Sequence, residues 1–205
     1  MNLNEATADQ IENLLLQQKI KPIRFWLWWK KHRKAVVALC LRFHQNQLEV
    51  LMIQRSQKTG DPWSGHMAFP GGHQDQEDIS EIHTAIRETQ EEVGLNLEFY
   101  GRYLGPLHPV RAMVRGLPIR LVIQPVVFFL QDLSFALNPN QDEVDQVVWI
   151  PLELLNSGTC NATHSFTRGK ITLDLPCWRY QNYTIWGLSY RMLASFLALL
   201  KQNRI

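Results

Sequence analysis

Between Gly71 and Leu95 the chain reads GGHQDQEDISEIHTAIRETQEEVGL, and this stretch constrains the fold more than any other. Glu88, Glu91 and Glu92 stand at i, i+3 and i+4. A helix advances about 100° per residue, so the three carboxylates share one stripe. Ile82, Ile86, Thr89 and Val93 fall on another stripe, the one expected to pack on a core. Three anions within one turn cost helix stability unless a cation sits among them. Hard cations such as Mg²⁺ take oxygen ligands and bind substrate phosphates beside carboxylates. A solvated acidic helix face is the ordinary explanation of such a cluster. Here the flanking residues decide against it.

Those flanks resemble the Nudix box, G-x5-E-x7-R-E-U-x-E-E-x-G-U, where U is bulky and apolar. Gly72, Arg87, Glu88, Glu91, Glu92, Gly94 and Leu95 occupy its named positions. Thr89 stands where an aliphatic residue is usual, Asp78 replaces the upstream Glu, and the run from Gly72 to Arg87 is one residue longer. The longer spacing and the Asp75/Asp78 pair are similar to the coenzyme A diphosphatase branch of that superfamily. So are VLMIQRS at 50–56, Gly65-x3-Phe69-Pro70-Gly71-Gly72, and Asn138 with Glu143-Val144 before Val148-Trp149-Ile150-Pro151-Leu152. Ile185-Trp186-Gly187-Leu188 is a further likeness. One loop departs from the branch, which usually carries an Arg and a His before Gly65. This chain reads Gly60-Asp61-Pro62-Trp63-Ser64 there, with a histidine at His66.

The resemblance implies an α/β Nudix fold, a mixed β-sheet sandwiched between helices. It implies metal-dependent hydrolysis of a nucleoside diphosphate linked to another moiety, with coenzyme A or its thioesters first. ADP-ribose or a dinucleotide is the alternative substrate, and a non-catalytic Nudix-fold binder of an anionic partner is the rival class. An intact Glu88/Glu91/Glu92 set argues against a pure binder, which has no need to tolerate that repulsion.

Expected roles follow from the family. Glu88, Glu91 and Glu92, with the Gly72 carbonyl, are the implied ligands of Mg²⁺ or Mn²⁺. A diphosphate resists attack because its anionic oxygens repel hydroxide; a bound cation neutralises them and acidifies water. The base is Glu88 or, outside the box, Glu143. Arg87 is expected to orient the carboxylates. Arg55, Gly71, Gly72 and His66 are placed at the substrate. For Arg55 a solvated strand-end cation is the equal alternative, and for His66 a loop hydrogen bond. Asp75 and Asp78 are expected to hold the box loop through backbone hydrogen bonds. Ser64 has no Ser-His-Asp arrangement around it in the sequence.

With 205 residues the chain suits one hydrophobic core. It divides into an N-terminal helix and basic aromatic arm at 1–34 and a catalytic domain at 35–205. Residues 1–44 carry eight Lys/Arg against three acids, whereas the whole chain is only +2. Phe25, Trp26, Trp28 and Trp29 are interleaved with those cations. They are expected to pack on the domain or on a second copy in a homodimer, rather than to bind lipid or nucleic acid. Cys40, Cys160 and Cys177 lack disulfide or metal spacing, which points to reduced thiols and a cytoplasmic protein. No apolar run reaches the ~18 residues of a membrane span.

Periodicity predicts a helix over 5–18, strands over 35–43 and 48–55 joined at 44–47, and the box helix over about 80–93 closed by Gly94. A strand over 98–107, a loop over 108–117 and a long strand over 119–130 with a bulge or edge at Pro125 follow. A strand over 144–150, a short helix at 151–155, small strands to about 180 and a helix over 186–201 complete the reading.

Overall fold

Gln45 and Asn46, both at positive φ (47° and 60°), make the two-residue turn that folds the chain back on itself. That turn geometry matches the twist of the strands it joins, β1 (Arg33–His44) and β2 (Gln47–Arg55). Their side chains alternate between two cores. Val36, Ala38, Cys40, Leu51 and Ile53 face one side, and Leu39, Leu41, Leu48, Val50 and Met52 the other. The structure is a computed structural model that describes residues 3, 6–20, 33–114, 117–168 and 171–202.

Short strands β3 (Met67–Ala68) and β4 (Gly71–His73) lead into helix α2 (Glu81–Val93). Ser80 caps α2 by accepting from the His83 N–H at 3.1 Å, and Gly94 closes it in the left-handed conformation at φ 70°. Ahead of these lies α1 (Ala8–Gln17); behind them come α3 (Leu97–Tyr100), β5 (Gly101–Pro106), β6 (Val110–Val114) and β7 (Leu117–Leu130). The chain continues through β8 (Val144–Pro151), α4 (Leu152–Asn156), β9 (Asn161–Arg168), β10 (Ile171–Tyr180), β11 (Tyr183–Trp186) and α5 (Gly187–Gln202).

The main sheet runs β3-β2-β1-β7-β5, with β8 also on β2, β6 also on β7 and β4 also on β1. β1 and β7 are parallel and the other pairs antiparallel, so the sheet is mixed. Residues of α2 and α3 join the core on one face, and residues of α1, α4 and α5 join the core on the other. The α/β architecture expected from the box is therefore present. β9, β10 and β11 form a separate antiparallel sheet.

Four expectations are corrected. The first helix begins at Ala8 rather than residue 5, because Thr7 and Gln10 form a reciprocal capping box. Residues 97–100 are a helical turn capped by Asn96, so the strand starts only at Gly101. The expected loop after residue 107 contains β6, which pairs with β7. Pro125 lies in an interior strand, opposite the gap where β5 gives way to β6; the register shifts fall in those partner strands. The aromatic residues Phe25, Trp26, Trp28 and Trp29 lie outside the described residues. Helix α1 itself is anchored: Ile11 and Leu15 are buried, and Arg102 pairs with Asp9 and Glu12.

Candidate active site

β4 and α2 bring the box carboxylates together. β4 takes the place of β2 beside the first half of β1, pairing Val36 with Gly72 and Val37 with Gly71. Glu92, only 3% exposed, accepts from the Gly71 N–H at 2.8 Å. Glu88 rests directly on Gly72, where a Cβ would collide with its carboxylate. The two glycines therefore allow the helix to set two acids against the backbone of β4.

Burial drives the electrostatics. It pushes the Glu92 carboxyl up to about 8, and the charges of Glu88 and Glu143 push the same way. Burial also raises Glu88, against the lowering effect of Arg87. Arg87 gathers the surrounding anions. Its guanidinium donates to Asp78 (Nε to Oδ1 at 3.1 Å, Nη2 to Oδ2 at 2.9 Å), to Glu91 at 3.0 Å and to the His73 carbonyl at 3.1 Å. Its Nη1 lies 3.0 Å from Glu88 Oε1. Asp78, with a side chain 1% exposed, also accepts from Thr84 Oγ1 at 3.0 Å and the Asp75 N–H at 2.9 Å. The box loop is thus fastened by Asp78, whereas the Asp75 carboxylate is 67% exposed.

One cavity of about 1400 Å³ is lined by Glu88, Glu92, Glu143, Arg55, Gly71, Gly72 and His66. Arg55 is not a solvated strand end. Its Nη2 donates to Asp61 at 2.7 Å, and that carboxylate also accepts from the Trp63 N–H at 2.9 Å. Glu143 is exposed, and its carbonyl accepts from Ser56 at the end of β2. Glu91 is the box acid turned outward, 53% exposed on Arg87. The His66 ring packs 4.8 Å from Trp186, while its backbone bonds to Arg55 and Trp63.

Three contributors were not legible as site residues. Asp61 fixes Arg55; Trp186 lines the cavity instead of the core; and His164 stacks on Trp186 at 4.2 Å. The only sequence signal for the last is the alternation through β9.

Among the described residues no group of three or more His, Cys, Asp or Glu is already arranged around one point as metal ligands are. The donor chemistry nevertheless fits a hard divalent cation. Buried carboxylates whose charge is disfavoured by burial and by one another gain most from such an ion, and all are oxygen donors.

Comparison with known proteins agrees with this geometry. Residues 31–170 match the NUDIX domain. The chain is 34% identical over 158 residues to mitochondrial coenzyme A diphosphatase NUDT8 of Mus musculus, covering 76% of this chain and 71% of that protein. It is 32% identical over 146 residues to peroxisomal coenzyme A diphosphatase NUDT7 of Mus musculus, covering 66% of this chain and 57% of that protein. The chain thus spans 57–71% of these relatives' length. Among solved structures, the MutT protein of Methanosarcina mazei Go1 superposes with a TM-score of 0.52 at 16% identity, over 84% of this chain and 96% of that one. That likeness concerns the fold.

Proposed function

Because this chain belongs to the Nudix family and is a Nudix pyrophosphohydrolase, we propose that it cleaves the diphosphate of coenzyme A or its thioesters. The observation that carries the reading is the convergence of Glu88 and Glu92 on Gly71-Gly72, inside a cavity that also holds Arg55 and Glu143. The coenzyme A preference is supported by relatives named as coenzyme A diphosphatases.

In this mechanism Glu88 and Glu92, with the Gly72 carbonyl, would hold Mg²⁺ or Mn²⁺, and Glu91 would join them from its place on Arg87. When bound, such an ion neutralises phosphate charge and lowers the pKa of water. Arg87 sets the carboxylates, since it bonds to both Glu88 and Glu91 while Asp78 holds it. Arg55, braced by Asp61, faces the cavity as the phosphate contact. Glu143 is assigned the base: it is exposed at the cavity, whereas Glu88, the other candidate, is held between Gly72 and Arg87 and burial favours its neutral form. Water adds to one phosphorus, its proton passes to Glu143, and the bridging P–O bond breaks to release the second phosphate.

The catalytic unit is proposed to be 35–205, with α1 as an added element packed on the same core. A reducing compartment such as the cytoplasm is proposed from the free, buried thiols of Cys40, Cys160 and Cys177. Among the described residues no helix is long and apolar enough to cross a membrane.

Incubating purified protein with coenzyme A, ADP-ribose and a dinucleoside polyphosphate, each with Mg²⁺ or Mn²⁺, tests the assignment by product mass. Adenosine 3′,5′-bisphosphate and a phosphopantetheine are expected from coenzyme A. Turnover of ADP-ribose or the dinucleotide about a hundred times more efficiently would remove coenzyme A as the substrate.

A further inference from the structure

Three rings from distant parts of the chain meet on the wall of the cavity. His66, just before β3, has its ring centroid 4.8 Å from that of Trp186 at the end of β11, and His164 of β9 lies 4.2 Å from the same indole. All three are half-buried, and all three line the cavity that holds Arg55. Neither imidazole makes a ring hydrogen bond to a described residue; His66 bonds only through its backbone, to Arg55 and Trp63. A half-buried histidine with a purely structural place ordinarily gives a ring nitrogen to a partner. Here the indole holds both rings by contact alone and leaves their nitrogens free to gain or lose a proton.

We infer that the His66–Trp186–His164 stack takes up one proton together with an anionic ligand, so that proton and anion each tighten the binding of the other. The inference rests on the reading above that an anionic group enters this cavity, and not on that group being coenzyme A. Charges from every side set the empty state. Arg55 comes from β2, Asp61 and Lys58 from the loop that follows it, and Arg191 from α5. Glu143 and the α2 acids Glu88 and Glu92 line the same cavity. Burial holds His66 below the ordinary histidine range; Asp61 opposes this, while the charges of His164 and Arg55 add to it. An anion beside Arg55 offsets that guanidinium and brings negative charge to the wall where both rings lie, which favours an imidazolium. The indole face favours it too, since both ring centroids lie within cation–π reach. A second proton is resisted, because two imidazoliums would then share one indole. By linkage, the factor by which the anion raises proton affinity is also the factor by which the proton raises anion affinity.

The test reads Trp186 directly, because a protonated imidazole quenches a neighbouring indole. Its emission is the difference between a protein and its Trp186→Phe counterpart, followed from pH 8.5 to pH 5 in the full chain with Mg²⁺. The probe is inorganic sulfate, which neither hydrolyses nor titrates in this range, against chloride of equal ionic strength. In the wild type the emission is expected to fall on acidification, with a midpoint that sulfate raises by about 0.5 pH, roughly threefold in proton affinity. His164→Gln removes the neighbouring repulsion and should raise the sulfate-free midpoint of His66. The double exchange His66→Gln/His164→Gln should abolish the titration, and His44→Gln, exposed at the end of β1, should leave it unchanged. Imidazole NMR shifts give the same midpoints without any exchange at Trp186. A wild-type midpoint that ignores sulfate, or a titration that survives in the double variant, overturns the inference. Failure of the coenzyme A reading would appear in the product-mass assay alone and leave this titration as it is.

Discussion

Asp78 grips Arg87 with both oxygens, accepting from Nε at 3.1 Å and Nη2 at 2.9 Å. The pair joins the loop after β4 to the helix that carries Glu88, Glu91 and Glu92, the acids proposed to hold the metal. Because Asp78 is 1% exposed, its partner bonds are shielded from water, which makes them matter for stability as well as for alignment.

Asp78→Asn should therefore cost about 1–3 kcal/mol, a fall of roughly 5 °C in Tm, since the shielded charge-assisted bonds to Arg87 weaken while Glu88 and Glu91 still pair with it. The Arg87 guanidinium holds the Asp78 carboxyl well below the usual range. Its stabilisation is present above the unfolded-state pKa and is lost as pH falls toward the folded one. The Asp78→Asn exchange should thus flatten the acid side of the stability curve. Denaturant titrations from pH 6 to pH 3 would show this; parallel curves for the two proteins would refute it.

Glu92 gives the opposite slope. Its folded pKa of about 8 lies above that of an unfolded glutamate, about 4.3, so the folded state keeps the proton as the unfolded state loses it. Metal-free protein should lose stability as pH rises from about 4.3 to 8, by at most ~1.4 kcal/mol per unit. Glu92→Gln keeps an acceptor for the Gly71 N–H and should abolish that loss, holding or raising Tm at pH 8. Its turnover should drop about a hundredfold or more, and Mg²⁺ should no longer raise its Tm. A Mg²⁺-induced rise equal to the wild type's would remove Glu92 from the metal site.

The box helix was legible because its signals are local. Ser80 and Gly94 mark its ends, and the i, i+3, i+4 spacing puts the acids on one stripe. That stripe is not uniform in the structure. Glu92 is buried on Gly71 and Glu91 is exposed on Arg87, a difference fixed by β4 rather than by helical period. The Asp61–Arg55 brace was hidden because both residues have ordinary solvent-facing explanations in isolation. Trp186 meets His66 across 120 positions, and β6 exists only because β7 is there to pair with it. Tertiary partners of this kind leave no periodic trace.

Arg55 and Asp61 supply a kinetic test. Asp61→Asn weakens the brace without changing the size of the side chain, so Arg55 should be positioned less well. A loss of about 1–2 kcal/mol in ground-state holding raises KM roughly five- to thirtyfold with a smaller change in kcat. Arg55→Lys should resemble it, because a lysine cannot bond to Asp61 and a phosphate in the same fork geometry. Steady-state kinetics at saturating Mg²⁺ would decide. A fall in kcat with KM unchanged would mean that Arg55 acts only in the transition state.

Gly72 and Glu88 are coupled by contact, and the coupling is measurable. Gly72 has no left-handed backbone to preserve; what it protects is space, since a Cβ would collide with the Glu88 carboxylate. Gly72→Ala must push Glu88 out of its pocket, which should cost about 1–3 kcal/mol and most of the activity. Glu88→Ala frees that volume. In its background the added methyl should cost less than about 0.5 kcal/mol, giving a non-additive cycle of about 1 kcal/mol or more. Urea unfolding of the four proteins without metal provides the numbers. Additive losses would show that the Gly72→Ala exchange disturbs β4 pairing with Val36 instead, and the link between glycine and carboxylate would have to be abandoned.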